Sequence, residues 1–278
     1  MPAMIYNKSL LQRIGAPLPR VSMTWAEFEA WMRTVQPLLP PGVYVMTDNS
    51  ATQTGSMFFG YWSGQNGTPQ WDGNRTHLSA QEVQRYFDMW NNWRSAGFVP
   101  PASISADYAE TNESNAALIA GRTAVATVWS NQLLNFQTAT NDELDLIELP
   151  NAAATNGLWG QMSQMMGINK DSKYPESAAR FVSYRVNDVG VWRIMGADPG
   201  TPVTPAARAA SAGSAEAQKI AAYLDVAGNH ASPRHPNMPN DTEYNSGLHL
   251  IAQNVAYGRL NSAQGAQQVM ELIARLTR

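Results

Sequence analysis

Apolar residues change their period several times along the chain, and each change marks an element. Ala3 to Tyr6 is a continuous apolar run suited to a buried strand, followed by Asn7-Lys8 and a helical turn ending at Gly15. Thr24-Trp25-Ala26-Glu27 reads as a capping box, and the helix it opens carries Trp25, Phe28, Trp31 and Met32 on one stripe before Pro37. Gly42 to Met46 is a strand, Gln53 to Trp62 a helix with Phe58, Phe59 and Trp62 inward, and Ser63 to Thr76 a loop rich in Gly and Asn. Ser79-Ala80-Gln81-Glu82 is a second capping box, with Leu78 set to staple Val83. Its helix runs to about Ala96 on Val83, Tyr86, Phe87, Trp90 and Trp93, and Gly97 closes it.

The second half begins with Asn112 to Ser130, a short helix stopped by Gly121 and then a buried strand from Thr123 to Val128. That strand delivers Trp129 and Ser130 at its carboxyl end, where open α/β domains meet their ligands. Trp129 is therefore either a core indole or the place where a flat, hydrogen-bonding ligand is met. Leu144 to Leu149 is a strand closed by Pro150, and Gly157 to Ile168 alternates like a strand despite its glycines. Pro175 opens a helix with Ala178, Phe181 and Val182 inward, and Val189 to Met195 is another short helix. Asp198 to Pro205 is irregular, Ala215 to Ala227 helical, and Gly228 to Asn240 the longest loop, rich in proline. Helices from about Tyr244 to Tyr257 and Ser262 to Leu276 finish the chain, the last capped by Asn261 with Gln264 at its third position.

Composition narrows the function. With 278 residues, 44% hydrophobic and 15% charged, the chain can bury a core. A net charge of −3 with scattered Arg argues against nucleic acid, which needs a basic stripe. Without cysteine there are no disulfides, thiolate metal sites or Cys nucleophiles. No apolar run is long enough to span a membrane, and the first residues show no basic-then-apolar signal peptide. Nine Trp, ten Tyr and seven Phe beside many Asn, Gln, Ser and Thr tilt the chain toward sugars, which stack on rings and bond to amides.

Catalytic signatures are missing. Gly60 to Gly64 places its Ser one position too late for a nucleophile elbow, and no P-loop or G-x-G-x-x-G occurs. His230 and His235 lie close in sequence but lack a carboxylate framework for a metal, so neither metal nor cofactor is expected. Asp142, Glu143, Asp145 and Glu148 imitate a glycosidase pair but fit a solvated strand edge better.

Four motifs in order carry a family resemblance. Ile5-Tyr6-Asn7-Lys8-Ser9-Leu10-Leu11, Gly15, Pro19 and Thr24-Trp25-Ala26-Glu27-Phe28 form the first, and Leu118-Ile119-Ala120-Gly121-Arg122-Thr123-Ala124-Val125 the second. Leu149-Pro150 with the Gly-rich stretch to Gly167-Ile168 is the third, and Ser172 to Phe181 the fourth. Together they resemble the extracellular solute-binding proteins of ABC importers, of the maltose-binding type. Leu118 and Val125 stand where that family usually has Phe and Met, conservative core changes.

The resemblance implies an α/β fold of the type II periplasmic-binding-protein kind: a helix-rich C-terminal lobe (1–165 and 214–278) plus part of an N-terminal lobe (166–213). It starts after the segment that builds most of the N-terminal lobe in the family. An apolar stripe of Phe181, Val182, Trp192 and Ile194 would then lie exposed, which implies self-association, a separately encoded partner or a rearranged fragment. Function by resemblance is carbohydrate binding, weakened by loss of one jaw, with an ABC permease as partner and a periplasmic or extracellular location. A glycan-active hydrolase or a module that binds no solute are the rival readings. The site implied comprises Asn49, Ser50, Phe59, Trp62, Trp129, Ser130, Trp159, Gln161 and Tyr244, where Asn49 alternatively caps a helix and Trp62 alternatively packs in the core.

Overall fold

A computed structural model describes residues 1–51, 55–108, 116–151, 158–160, 164–229, 231–232 and 234–278. The first strand, β1 (Pro2–Asn7), is buried along its whole length. It sits between β3 (Thr123–Trp129) and β4 (Leu144–Ile147), antiparallel to both, and β2 (Tyr44–Met46) pairs parallel with β3. The resulting sheet has the order β2-β3-β1-β4. Strands covered on both faces read as unbroken apolar runs, which is why AMIY and TAVATV alternate so little.

Helices cover each face. On one side Met4, Tyr6, Val45 and Val125 meet α2 (Trp25–Val35), α3 (Gly55–Gln65), α4 (Ala80–Ser95), α11 (Asp241–Ala256) and α12 (Ser262–Leu276). On the other, Ile5, Ala126 and Val128 meet Leu133 and Phe136 of α6 (Leu133–Thr138) and Ile220 of α10 (Ala215–Gly228). The larger core is aromatic: Phe58 stands edge-on to Trp90 at 5.0 Å, and Trp90 to Trp93 at 5.1 Å. Gly265 lets α12 approach closely, because a side chain there would run into Val255 and Phe87. Short helices α1 (Lys8–Arg13) and α5 (Ala102–Ser105) complete this body.

Local signals set most helix starts. Thr24 and Glu27 form the expected reciprocal cap, as do Asn261 and Gln264. At α4 only half of the second box forms: Ser79 accepts from the Glu82 amide, while the Glu82 carboxylate turns to Arg85. Ala116 to Gly121 is a single turn closed by Gly121 at φ +68°, not a described helix; the residues before it lie outside the described set. Residues 158–160 and 164–168 form no strand, correcting the expectation for that stretch, whose glycines weaken any ladder.

The segment between these halves is built differently. It holds α7 (Pro175–Asn187), α8 (Val189–Met195) and an unanticipated α9 (Pro205–Ser211), opened by Pro205 at its first position. No residue of α7 is buried: Phe181 is 58% exposed rather than inward, and Ala178 and Val182 are half-buried. Ile194 is 89% exposed, whereas Trp192, expected on the same open stripe, is buried. Its indole donates to the Val186 carbonyl at 2.9 Å beneath the Arg185 guanidinium, so the turn between α7 and α8 covers it.

Candidate functional site

At the carboxyl end of β3 the chain opens a concavity of about 320 Å³. Two of the residues named from sequence line it, Trp129 and Trp159, both half-buried, with their rings edge-to-face at 6.5 Å and 76°. Trp129 reaches it because it is the last residue of β3, opposite Pro2 at the start of the antiparallel β1. Trp159 is brought over by chain ties on both sides. Tyr61 and Gln65 of α3 donate to the Pro150 carbonyl at 2.9 and 3.0 Å, and the Ser232 amide donates to the Leu158 carbonyl at 2.7 Å.

The floor is α3. Gly60 and Gly64, four residues apart, fall on one helix face and leave backbone toward the cavity. A Cβ on Gly60 would stand 3.4 Å from the Gln70 amide and 3.9 Å from the Trp159 ring, so the small residue lets both come close. The facing wall is the proline-rich loop with Arg234, His235, Pro236 and Asn237, anchored by buried Met238. Asp241 and Asn245 add the first turns of α11, and Trp71 a third indole. Arg234 donates to the Asn237 Oδ1 at 2.6 Å, and the Asn237 Nδ2 donates to Asp241 at 3.1 Å, making one polar chain along the rim.

A neighbouring loop is pinned by Asp72. Its carboxylate meets His77 at 2.6 Å and accepts from the Asn74 and Arg75 amides at 2.8 Å each. These bonds, His77 first, hold the Asp72 carboxyl well below the usual carboxylate range.

Most other sequence candidates lie elsewhere. Asn49 and Ser50 are buried beside Asp48, not on the cavity wall. Asp48 accepts from the Ser50 amide and hydroxyl at 2.9 and 2.6 Å and pairs with the Arg94 side chain at 2.6 Å, while Thr47 donates to the Asn49 Oδ1 at 3.0 Å. Phe59 and Trp62 stack on each other at 6.4 Å and pack against Tyr86 within the core. Ser130 is buried and holds the first residue, its hydroxyl accepting from the Met1 amino group at 3.2 Å and its amide donating to the Met1 carbonyl. Tyr244 is fully buried on the inner face of α11, one position before the lining Asn245, and burial pushes its hydroxyl pKa up. Gln161 lies outside the described residues.

Sequence reading missed the Gly60/Gly64 face and the 234–237 wall. The helix-period spacing of two glycines was the available signal for the first. For the second it was a cation and amides packed into a proline-rich loop just before an acidic helix start. His235 lines the wall, His230 lies outside the described set, and no group of three His, Asp or Glu is placed to hold a metal among the described residues. The sheet-edge acids are occupied: Asp142 by Arg13 and Asn7, Glu143 by Lys8 and Lys219, Asp145 by Tyr6. Glu148, expected at a solvated edge, is instead buried, and the Ser22 hydroxyl donates to it. Asp241 is the one carboxylate among the described lining residues.

Solved structures share this architecture. An extracellular solute-binding protein family 1 member from Alicyclobacillus acidocaldarius is 24% identical with TM-score 0.81, over 100% of this chain and 70% of its own. A periplasmic solute binding protein from Pectobacterium atrosepticum is 18% identical with TM-score 0.84, covering 100% and 72%. A periplasmic oligogalacturonide binding protein from Yersinia enterocolitica, in complex with saturated digalacturonic acid, is 18% identical with TM-score 0.80, again over 100% and 72%. At these identities the likeness establishes the fold, a helix-rich α/β solute-binding architecture. The family described as bacterial extracellular solute-binding protein matches residues 1–222, and the chain belongs to it.

Proposed function

We propose that this chain is the substrate-binding component of an ABC importer and that its solute is a carbohydrate. The observation that carries the reading is the pair of half-buried indoles, Trp129 and Trp159, set edge-to-face on a cavity that also presents the amides of Gln70, Asn237 and Asn245 and the hydroxyls of Ser56 and Ser232. A pyranose offers apolar C–H faces to such rings and hydroxyls to Gln70, Asn237, Asn245 and Ser232. The volume is at the small end of ligand pockets and suits one or two sugar rings. The saturated digalacturonic acid held by the Yersinia protein supports a saccharide as ligand. A glycan hydrolase needs two positioned carboxylates, and the described lining supplies one.

In this reading, residues 1–165 and 214–278 are one lobe, and 166–213 belong to a second lobe that closes on the solute. The open apolar face of α7, with Phe181 and Tyr184 outward, fits a segment that requires a cover, and pairing of two copies would provide one. Binding takes place outside the cytoplasm, and the loaded protein delivers to a permease.

Isothermal titration of the chain with neutral and acidic oligosaccharides tests the proposal. Dissociation constants of about 1 mM or tighter, at least about 4 kcal/mol, are expected. Trp129→Ala should abolish that heat. Binding of peptides or polyols with no response to any saccharide would overturn the carbohydrate assignment.

A further inference from the structure

Aromatic faces and amides are enough for a neutral sugar, yet the wall also carries a cation. We propose that the site takes a carboxylate-bearing saccharide, a uronide, with its acid group held by Arg234; this rests on the carbohydrate reading above.

The Arg234 side chain lines the cavity, and its one hydrogen bond among the described residues goes to a neutral acceptor, the Asn237 Oδ1 at 2.6 Å. A guanidinium has five donors in a rigid fork that matches a carboxylate two by two. The residue is exposed and has no acidic partner among the described salt bridges. Asp241, the wall's own carboxylate, is committed elsewhere. It stands in the first turn of α11, where the free amides and the helix dipole favour negative charge, and it accepts from the Asn237 amide at 3.1 Å. Asn237 thus sits between the two charges, and its amide serves both.

Position favours the same conclusion. The loop bearing Arg234 is held at the near end by the bond from the Ser232 amide to the Leu158 carbonyl and at the far end by buried Met238. Trp159, next to Leu158, is therefore tied to the loop that carries Arg234. Both line the same cavity, so a ring stacked on the indole can carry a substituent toward the cation. A ligand that uses both must be ring-shaped and anionic at once. Arg234 is exposed, so salt will screen the contact.

Titration calorimetry of the whole chain with digalacturonate and with the neutral galactose disaccharide of the same linkage tests this, in wild type and Arg234→Gln. The acidic disaccharide should bind more tightly, by about ten-fold at low ionic strength. That preference should vanish in Arg234→Gln and shrink as salt is added. Equal or better binding of the neutral disaccharide, or an uronide preference that survives Arg234→Gln, overturns the inference and leaves the carbohydrate reading standing. If neither disaccharide binds wild type, the carbohydrate reading falls and this inference with it.

Discussion

Two aromatic surfaces in this chain have opposite fates. Around the sheet, Phe58, Trp90 and Trp93 are sealed between α2, α3, α4 and α11, ring against ring. On α7, Phe181 and Tyr184 are more than half exposed, and Met165 and Ile194 nearby are more open still. The two regions have similar residue types and equally regular helices. What differs is that the first has elements on every side, whereas the described partners of α7 are few. An apolar helical stripe stabilises only when something covers it. The contrast is therefore one of cover rather than of residue type.

The largest effect that would break this contrast is a matched pair of truncations. Phe58→Ala should cost about 4 kcal/mol, the usual loss for emptying an aromatic core position. Phe181→Ala should stay within about 0.5 kcal/mol, as for an exposed site. Urea unfolding of both variants reads this directly. A cost above about 2 kcal/mol for Phe181→Ala would mean that α7 is covered in solution, by a second copy or by a different packing. Light scattering on the same samples separates those two causes.

A buried ion pair provides the next contrast. Asp48 has no exposed side-chain surface and Arg94 little, and Arg94 also donates to the Asn91 and Ser50 side chains at 2.6 and 2.5 Å. Asp48→Ala would strand the guanidinium in the core, for about 3 kcal/mol by urea unfolding. Thr47, Asp48 and Ser50 form the exit from β2, and α3 with the cavity floor comes next in the chain. Ligand affinity should therefore fall along with stability. Unaltered stability would show that the charges reach water.

These contrasts also explain what could be read from sequence. The capping boxes, Gly121, and the apolar runs of β1 and β3 are local signals, each determined by neighbours within a few residues, and they placed most elements. Trp129 was legible for the same reason, because a strand end is a local feature. Asn49 and Ser50 misled because polarity after a strand suggests solvent, while both are buried, Ser50 beside an Asp48 that pairs with Arg94, more than forty residues on. Phe59 and Trp62 follow the core side of α3, and it is Gly60 and Gly64 that face the cavity. The 234–237 wall had no periodicity to reveal it. Its place depends on a hydrogen bond to Leu158, a long-range fact that no window of sequence contains.

The smallest predicted effect concerns acid. At the sheet edge, hydrogen bonds from Arg13, then Asn7, lower the Asp142 carboxyl pKa, and those from Lys8 and Lys219 lower that of Glu143. No described salt bridge reaches into residues 166–213. A carboxyl whose pKa is lower folded than unfolded stabilises fully above the ordinary carboxylate range, and that contribution is lost as pH falls through it. Acidification from pH 6 to pH 3 should therefore loosen α1 and β4, where Asn7, Arg13 and Lys8 are tied to the 142–143 turn, before it reaches the aromatic core. Exposed pairs of this kind contribute little, so Asp142→Asn should lower the thermal midpoint at pH 6 by about 2 °C or less. The same variant should flatten the acid dependence, since the lost proton equilibrium is the source of the slope. Hydrogen exchange at the amides of α1 and β4, followed against pH, locates the loosening. If α7 amides open first on acidification while α1 and β4 stay protected, the acid-sensitive edge lies in the other region, and the sheet body is not held by these pairs.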